Sequence, residues 1–165
     1  MKHKTKSTEV RVEMMVKASV EKTFRTFTKR CHDWWPKEYK LAKAERRDIV
    51  MESHVGGRWY ETATDGSECL WGEILVWDPP HYLAFSWQIK PDFTPEPHPE
   101  KSSRVEIRFR ENGPESTIIT LVHSDFERHG EGWEDMRDSV ANEGGWQEIL
   151  TQFSNIAALK KTLLK

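Results

Sequence analysis

The sequence predicts an α+β protein in which one antiparallel sheet of six or seven strands curls around a helix near the C-terminus. Several short segments alternate apolar and polar side chains with the period of two that a half-buried strand shows. Turn residues separate these segments by distances that suit hairpins, which join antiparallel strands. The last segment repeats apolar residues every three or four positions, which is typical of a helix with one buried face.

The first strand is predicted over residues 10–17, where the even-numbered side chains are apolar. A short helix over 20–28 follows it. Ser19 can cap the first turn of that helix, and Phe24 and Phe27 lie on one face of it. A second short helix then carries a pair of tryptophans and ends at a proline.

The middle of the chain predicts six strands linked by hairpins and loops. Their approximate ranges are 47–54, 58–64, 68–77, 82–89, 104–110 and 117–124. Gly56-Gly57, Asp65-Gly66 and Pro79-Pro80 supply breaks between the first four, because glycine permits turns and proline cannot donate to a ladder. The segment Pro91–Lys101 holds four prolines and is interpreted as an exposed, partly extended loop.

The C-terminal segment predicts the longest helix of the chain. It would begin at Ser139 or at Gly145 and end at Leu164, with Trp146 and Phe153 on its buried face. An acidic, glycine-containing insert over 127–138 precedes it.

The composition limits the class of protein. The chain has 165 residues, 36% of them hydrophobic, which is enough for one domain over 1–165 with a flexible basic N-terminus at 1–8. The formal net charge is −2 and the charges are scattered, so we expect no nucleic-acid partner. No apolar run approaches the roughly 18 residues of a membrane helix, and no signal peptide is evident, which favours a soluble cytoplasmic protein without a membrane contact. The sequence makes no prediction of the oligomeric state.

Neither a metal site nor a cofactor is expected. The two cysteines, Cys31 and Cys69, are far apart in the sequence and stand in no Cys/His cluster. The histidines show no ligand spacing. Tryptophan is the unusual feature, since there are eight, which indicates either an aromatic core or an aromatic-lined pocket.

Seven short motifs, in this order, resemble a known superfamily. They are Val55-Gly56-Gly57-Arg58-Trp59, Asp65-Gly66, Trp71-Gly72-Glu73, Asp78-Pro79-Pro80, LAFSW at 83–87, LVHSDF at 121–126 and Glu143-Gly144-Gly145-Trp146. The superfamily is the START-like helix-grip (SRPBCC) group, and the branch is the bacterial one similar to the activator of the heat-shock chaperone ATPase (AHSA-like), grouped with polyketide cyclases. The resemblance implies a helix-grip fold from about residue 10 to residue 159.

Three functions are consistent with this resemblance. The first is binding of a small hydrophobic or aromatic molecule in a cavity between the sheet and the C-terminal helix, with weak proton-transfer chemistry as an extension. The second is a co-chaperone-like module whose partner is a chaperone ATPase. The third is an enzyme of the cyclase or dehydratase type. An open pocket in the folded protein would favour the first or third.

Two residues are candidates for acid–base chemistry. If Trp59 faces inward then Glu61 does too, because strand side chains alternate, although a bulge after Gly57 would turn Glu61 outward. His123 shares a face with Leu121 and could donate to a ligand or transfer a proton near neutral pH. The alternative for His123 is a core histidine whose hydrogen bond is satisfied by a backbone carbonyl or by Glu61. We expect the two side chains to project into the same cavity, where together they would suit proton transfer, since no nucleophile accompanies them.

The expected ligand-binding residues are aromatic or apolar side chains on inward-facing positions. They are Trp35, Trp59, Trp87, Phe85, Leu121, Phe126 and Trp146. For Trp146 the core interpretation is preferred, whereas Trp59 and Trp87 have polar neighbours and are equally consistent with a pocket wall.

Overall fold

A seven-stranded antiparallel sheet dominates the computed structural model, which describes residues 8–159. Its strands are β1 Val10–Val16, β2 Arg46–Met51, β3 Arg58–Ala63, β4 Glu68–Asp78, β5 Tyr82–Trp87, β6 Ser103–Glu111 and β7 Thr117–Ser124. The order across the sheet is β1-β7-β6-β5-β4-β3-β2. The predicted fold class is therefore confirmed, and β1 and β2, although consecutive in the chain, form opposite edges.

Four helices accompany the sheet, namely α1 Val20–Lys29, α2 Cys31–Trp34, α3 Trp133–Ala141 and α4 Trp146–Ala157. The two predicted short helices after the first strand are confirmed as α1 and α2. The side chain of Ser19 caps α1 by accepting the backbone N–H of Lys22 at 3.2 Å. These two helices carry the chain from the β1 edge to the β2 edge.

The predicted long C-terminal helix requires correction. A turn at 142–145 separates α3 from α4, so a continuous helix from Ser139 is wrong and the start at Gly145 is right. Gly144 has φ +86°, and a Cβ on Gly145 would lie 2.1 Å from the carbonyl oxygen of Val140, so both positions require glycine. The helix ends at Ala157, and residues 160–165 lie outside the described part of the chain.

The inward face of β3 is the one expected from the alternation. Trp59, Glu61 and Ala63 are at most 1% exposed. The pairing of β3 with β4 does contain a bulge, since Trp59 pairs with Gly72 and Tyr60 with Leu70. The extra residue lies on β4, so the alternation of β3 is kept and Glu61 points inward.

Trp35 lies at the centre of an aromatic core between the sheet and the helices. It has ring contacts, with centroids 5.2 to 6.4 Å apart, to five other tryptophans: Trp34, Trp59, Trp71, Trp87 and Trp146. The buried face of α4 covers this core with Trp146, Leu150 and Phe153, all inaccessible to solvent. Most of the tryptophans are therefore core residues, and the site lies where this core ends.

The loops near the site have more structure than the sequence suggested. In the proline-rich segment 91–101, Pro95 forms a bridge with Ile89, and residues 99–101 form a 3₁₀ turn. The segment 127–138 contains most of a second 3₁₀ turn and the first part of α3. The flexible N-terminus predicted over 1–8 lies, except for Thr8, outside the described residues. Between residues 8 and 159 no helix has the length and apolar character needed to cross a bilayer.

Candidate functional site: a tryptophan pocket

A pocket of about 430 Å³ opens at the end of the aromatic core. Three indoles, those of Trp35, Trp71 and Trp87, line its inner part, and the name tryptophan pocket is used for it below. Val140 of α3 and Ile149 of α4 line it from the helical side. A pocket of this volume with a mainly apolar lining is typical of small-molecule binding sites.

Each of the three indoles reaches the pocket from a different element. Trp35 follows α2 directly, and Trp87 is the last residue of β5. Trp71 is the extra residue of the bulge in β4, where it and the adjacent Gly72 are both buried. The bulge explains why the alternation of β4 did not identify Trp71 as a pocket residue.

Glu61 lies behind this wall and is fully buried. Its carboxylate accepts three hydrogen bonds, from the backbone N–H of Leu41 at 2.6 Å, from that of Ala42 at 3.2 Å and from the indole N–H of Trp71 at 2.7 Å. Leu41 and Trp71 both line the pocket. Glu61 therefore positions two lining residues and does not itself reach the pocket.

Arg46 also positions the loop after α2 through hydrogen bonds of its side chain. The sequence patterns did not identify Arg46 as a residue near the site. The residue is only 6% exposed. Its guanidinium donates to the carbonyl oxygens of Trp35 at 2.8 Å, Pro36 at 2.9 Å and Tyr39 at 3.1 Å. Burial lowers the pKa of Arg46 from its ordinary value. The irregular pairing of β2 with β3 after Arg46 turns this side chain inward, which a single sequence does not reveal.

His123 belongs to a buried hydrogen-bonded chain on the other side of the pocket. The indole N–H of Trp146 donates to its Nδ1 at 3.0 Å, its Nε2 lies 2.7 Å from the Ser103 hydroxyl, and that hydroxyl lies 2.8 Å from His129 Nε2. Because an indole N–H only donates, His123 as a neutral ring carries its proton on Nε2 and donates it to Ser103. Ser103 then donates to His129, which assigns the His129 proton to Nδ1, a buried atom with no hydrogen-bond partner among residues 8–159.

Burial lowers the pKa of both histidines, that of His123 well below its ordinary value. The carboxylate of Glu96 acts in the opposite direction on His129. Both rings are therefore held neutral, as the direction of the hydrogen bonds requires. The His123 ring packs against Trp87 with centroids 5.2 Å apart, so this chain supports one wall of the pocket.

The two acid–base candidates do not share the pocket. Glu61 bonds to Leu41, Ala42 and Trp71, whereas His123 bonds to Ser103 and Trp146, and neither lines the pocket. The expectation that both project into one cavity is thus corrected. Both side chains lie behind the lining of the pocket, and both are hydrogen-bonded to protein groups.

Of the seven predicted ligand-binding residues, Trp35 and Trp87 line the pocket. The other five are buried behind it: Trp59, Phe85, Leu121, Phe126 and Trp146. The lining residues that the sequence did not suggest come largely from loops and helix ends. They include Tyr39, Leu41, Phe93, Val140 and Ile149.

The mouth of the pocket is polar and is crossed by one hydrogen bond. The Tyr39 hydroxyl donates to the carbonyl oxygen of Gly144 at 2.8 Å, which links the loop after α2 to the α3–α4 turn. Glu38, Lys40 and Glu143 lie at the same rim. Within residues 8–159 no group of three His, Cys, Asp or Glu side chains is arranged to hold a metal ion.

A curled antiparallel sheet packed on a C-terminal helix, with a pocket between them, defines a helix-grip ligand-binding domain. The family model for "Activator of Hsp90 ATPase homolog 1-like protein" matches residues 17–158, and the chain belongs to this family. The resemblance found in the sequence motifs is confirmed. No curated protein matches the chain significantly.

Three solved structures illustrate the range of similar proteins. An anthrahydroquino-γ-pyrone synthase, Txn09, solved in complex with SUM, is 40% identical, with 91% of this chain and 97% of that chain covered and a TM-score of 0.66. The self-sacrificing resistance protein CalC from Micromonospora echinospora is 28% identical, with 90% and 93% covered and a TM-score of 0.65. The Aha1 dimer from Colwellia psychrerythraea is 14% identical, with 94% and 99% covered and a TM-score of 0.61, a likeness of fold alone.

Proposed function

We propose that this protein binds a planar aromatic small molecule in the tryptophan pocket. The observation that carries the proposal is the lining of the pocket by Trp35, Trp71 and Trp87. Indole rings present large, flat, polarisable faces that favour other aromatic rings over flexible aliphatic chains. A volume of about 430 Å³ is sufficient for a ligand of two or three fused rings.

The comparison with Txn09 supports the same class of ligand. The name of that protein, an anthrahydroquino-γ-pyrone synthase, denotes a fused aromatic ring system that carries oxygen. At 40% identity over 91% of this chain, the similarity extends beyond the fold. An oxygenated fused-ring molecule is therefore the ligand class that we assign to this pocket.

Ring closure on such a molecule is the second candidate function, favoured by the description of Txn09 as a synthase. The titratable side chains available for it are those that line the pocket, namely Glu38, Tyr39, Lys40 and Glu143. The co-chaperone alternative receives less support, since the Aha1 relative shares the fold at 14% identity.

A calorimetric titration tests the binding proposal. Xanthone, a tricyclic aromatic ketone, is titrated into the wild type and into two variants, Ser139→Trp and Gln152→Trp. Ser139 is exposed and lines the pocket, so a tryptophan there blocks the space that the ligand needs. Gln152 is exposed on α4 and does not line the pocket, which makes it the matched control.

We expect xanthone to bind the wild type and Gln152→Trp equally and Ser139→Trp at least about tenfold more weakly. Binding should also raise the melting temperature, because a ligand at 100 times its dissociation constant adds about 2.7 kcal/mol to stability. Equal affinity in all three proteins would place the ligand elsewhere and contradict the proposal. Absence of binding by a panel of fused-ring ketones and phenols would contradict it too.

A further inference from the structure

One aromatic residue of the pocket lining is largely open to solvent. Phe93 lines the tryptophan pocket and is 48% exposed. The three lining indoles, those of Trp35, Trp71 and Trp87, are at most 4% exposed. Phe93 therefore lies at the open end of the pocket, and the indoles lie at its inner end.

The backbone of Phe93 has a conformation that a bulky side chain rarely adopts. Its φ is +64°, in the left-handed region, and among residues 8–159 Asp125 is the only other residue besides glycine with a positive φ. Aspartate and asparagine tolerate this region better than bulky residues do, because a short polar side chain can hydrogen-bond locally. Strained backbone of this kind is concentrated at binding and catalytic sites.

The turn that carries Phe93 is held by its own hydrogen bonds. The backbone N–H of Phe93 donates to the carbonyl oxygen of Lys90 at 2.7 Å, and that of Lys90 donates to the carbonyl oxygen of Thr94 at 2.8 Å. The Asp92 carboxylate accepts the Thr94 backbone N–H at 3.1 Å and the Thr94 hydroxyl at 2.6 Å. These bonds define a three-residue hairpin loop, in which glycine is the usual residue at the left-handed position. None of them uses the phenylalanine side chain.

We infer that Phe93 is a ligand-contact residue whose ring covers the bound molecule at the mouth of the pocket. The inference rests on the proposed function and adds a fourth aromatic ring to the site. In the free protein, glycine or asparagine would suit this turn better than phenylalanine. A ligand that covers the ring removes its apolar surface from water, a favourable contribution that exists only in the complex.

Stability and affinity should therefore respond differently to the loss of this ring. Phe93→Asn relieves the strain without the added backbone freedom of glycine, so the melting temperature without ligand should stay the same or rise. The dissociation constant of xanthone should increase at least about fivefold, because an aromatic contact is lost. A ring that served packing in the free protein would give the opposite pattern.

Calorimetric titration with xanthone and thermal denaturation without ligand test the inference on the wild type and three variants. Phe93→Asn removes the ring, and Phe93→Tyr keeps a ring on the same backbone and should bind xanthone like the wild type. Val55→Asn is the matched control, since Val55 is 64% exposed in the turn before β3 and does not line the pocket. We expect it to leave the affinity for xanthone unchanged.

Two results would overturn the inference and leave the proposed function standing. One is equal affinity of Phe93→Asn and the wild type for xanthone. The other is a melting temperature of Phe93→Asn several degrees below that of the wild type, which would assign the ring to packing in the free protein. Failure of the wild type to bind xanthone would instead remove the proposed function, and this inference with it.

A second measurement detects the contact in the unsubstituted chain. The seven phenylalanines are replaced by 4-fluorophenylalanine, and the ¹⁹F resonance that is missing from Phe93→Tyr is assigned to residue 93. Saturation with xanthone should shift this resonance, because the ring current of an aromatic ligand acts over short distances. A resonance that stays in place when xanthone saturates the protein would contradict the contact.

Discussion

The carboxylate of Glu61 accepts the indole N–H of Trp71 at 2.7 Å, yet only Trp71 belongs to the pocket wall. The Glu61 side chain also fixes the backbone at Leu41 and Ala42, so one buried carboxylate joins β3, β4 and the loop after α2. A polar side chain on an inward strand face need not take part in catalysis or contact a ligand. Here the carboxylate sets the position of the pocket wall at Trp71 and Leu41.

Replacement of Glu61 should therefore destabilise the protein. In Glu61→Gln an amide NH₂ takes the place of one acceptor oxygen, and a donor then faces a backbone N–H or the indole N–H. We expect the free energy of unfolding to fall by about 1–3 kcal/mol, and Glu61→Leu should cost more because three donors lose their acceptor. Urea denaturation measures the change, with Glu68→Gln on the exposed side of β4 as the control.

Arg46 offers a test of whether the pocket depends on its loop. Arg46→Lys keeps the charge but cannot donate simultaneously to the carbonyl oxygens of Trp35, Pro36 and Tyr39. We expect a loss of about 2–3 kcal/mol in stability and faster amide exchange over residues 37–42. Exchange that stays at the wild-type rate in this segment would show that the loop holds its position without Arg46.

Acid should weaken the fold through the His123–Ser103–His129 chain. Burial lowers the folded-state pKa of both histidines, so between the ordinary pKa near 6.5 and the lower folded value the unfolded chain binds more protons. Stability is then fully present above about pH 7 and falls as the pH drops through 6.5, with a slope of at most about 1.4 kcal/mol per pH unit for each histidine.

Urea denaturation between pH 7.5 and 5.5 measures this slope. His129→Gln should reduce it by removing one of the two titrating groups, and the exposed His54→Gln serves as the control and should leave it unchanged. A wild-type stability that is constant over this range would contradict the assignment of two neutral rings.

The bond between Tyr39 and Gly144 should control how fast a ligand enters and leaves. Tyr39→Phe removes a single hydrogen bond across the mouth, so stability should change by no more than about 1 kcal/mol. The association and dissociation rates of xanthone, measured by stopped flow, should both rise several-fold. Tyr60→Phe, on β3 and outside the pocket lining, should leave both rates unchanged.

The strands could be predicted because their signals are local. Alternation and turn residues place all seven strands to within a few residues and His123 on an inward face, whereas they left Glu61 inward or outward according to whether a bulge followed Gly57. Trp71 could not be assigned in this way, since a bulge displaces it from the alternation of its strand. Arg46 and Tyr39 gain their roles only from tertiary contacts with carbonyl groups of other segments.

Tertiary contacts also decide which inward-facing aromatic side chains belong to the core and which line the pocket. An inward-facing aromatic side chain lines a pocket only where no other element covers it, and loop conformations decide this. Trp59 and Phe85 contact each other with centroids 4.4 Å apart and are covered, whereas Trp87 is reached from the mouth. Sequence patterns show which face of a strand a side chain lies on. They do not show whether another element of the structure covers that side chain.

The contacts of Trp35 with five other tryptophans have an optical consequence. Indoles at centroid separations of 5.2 to 6.4 Å exchange excitation energy far faster than they emit, so the cluster shares its excited state. A quencher bound next to Trp35 or Trp87 should then also quench the emission that follows absorption by rings it does not contact, such as Trp34 and Trp146. The tryptophan emission of this protein would thus report occupancy of the pocket, and each indole of the cluster would contribute to that signal through its own absorption.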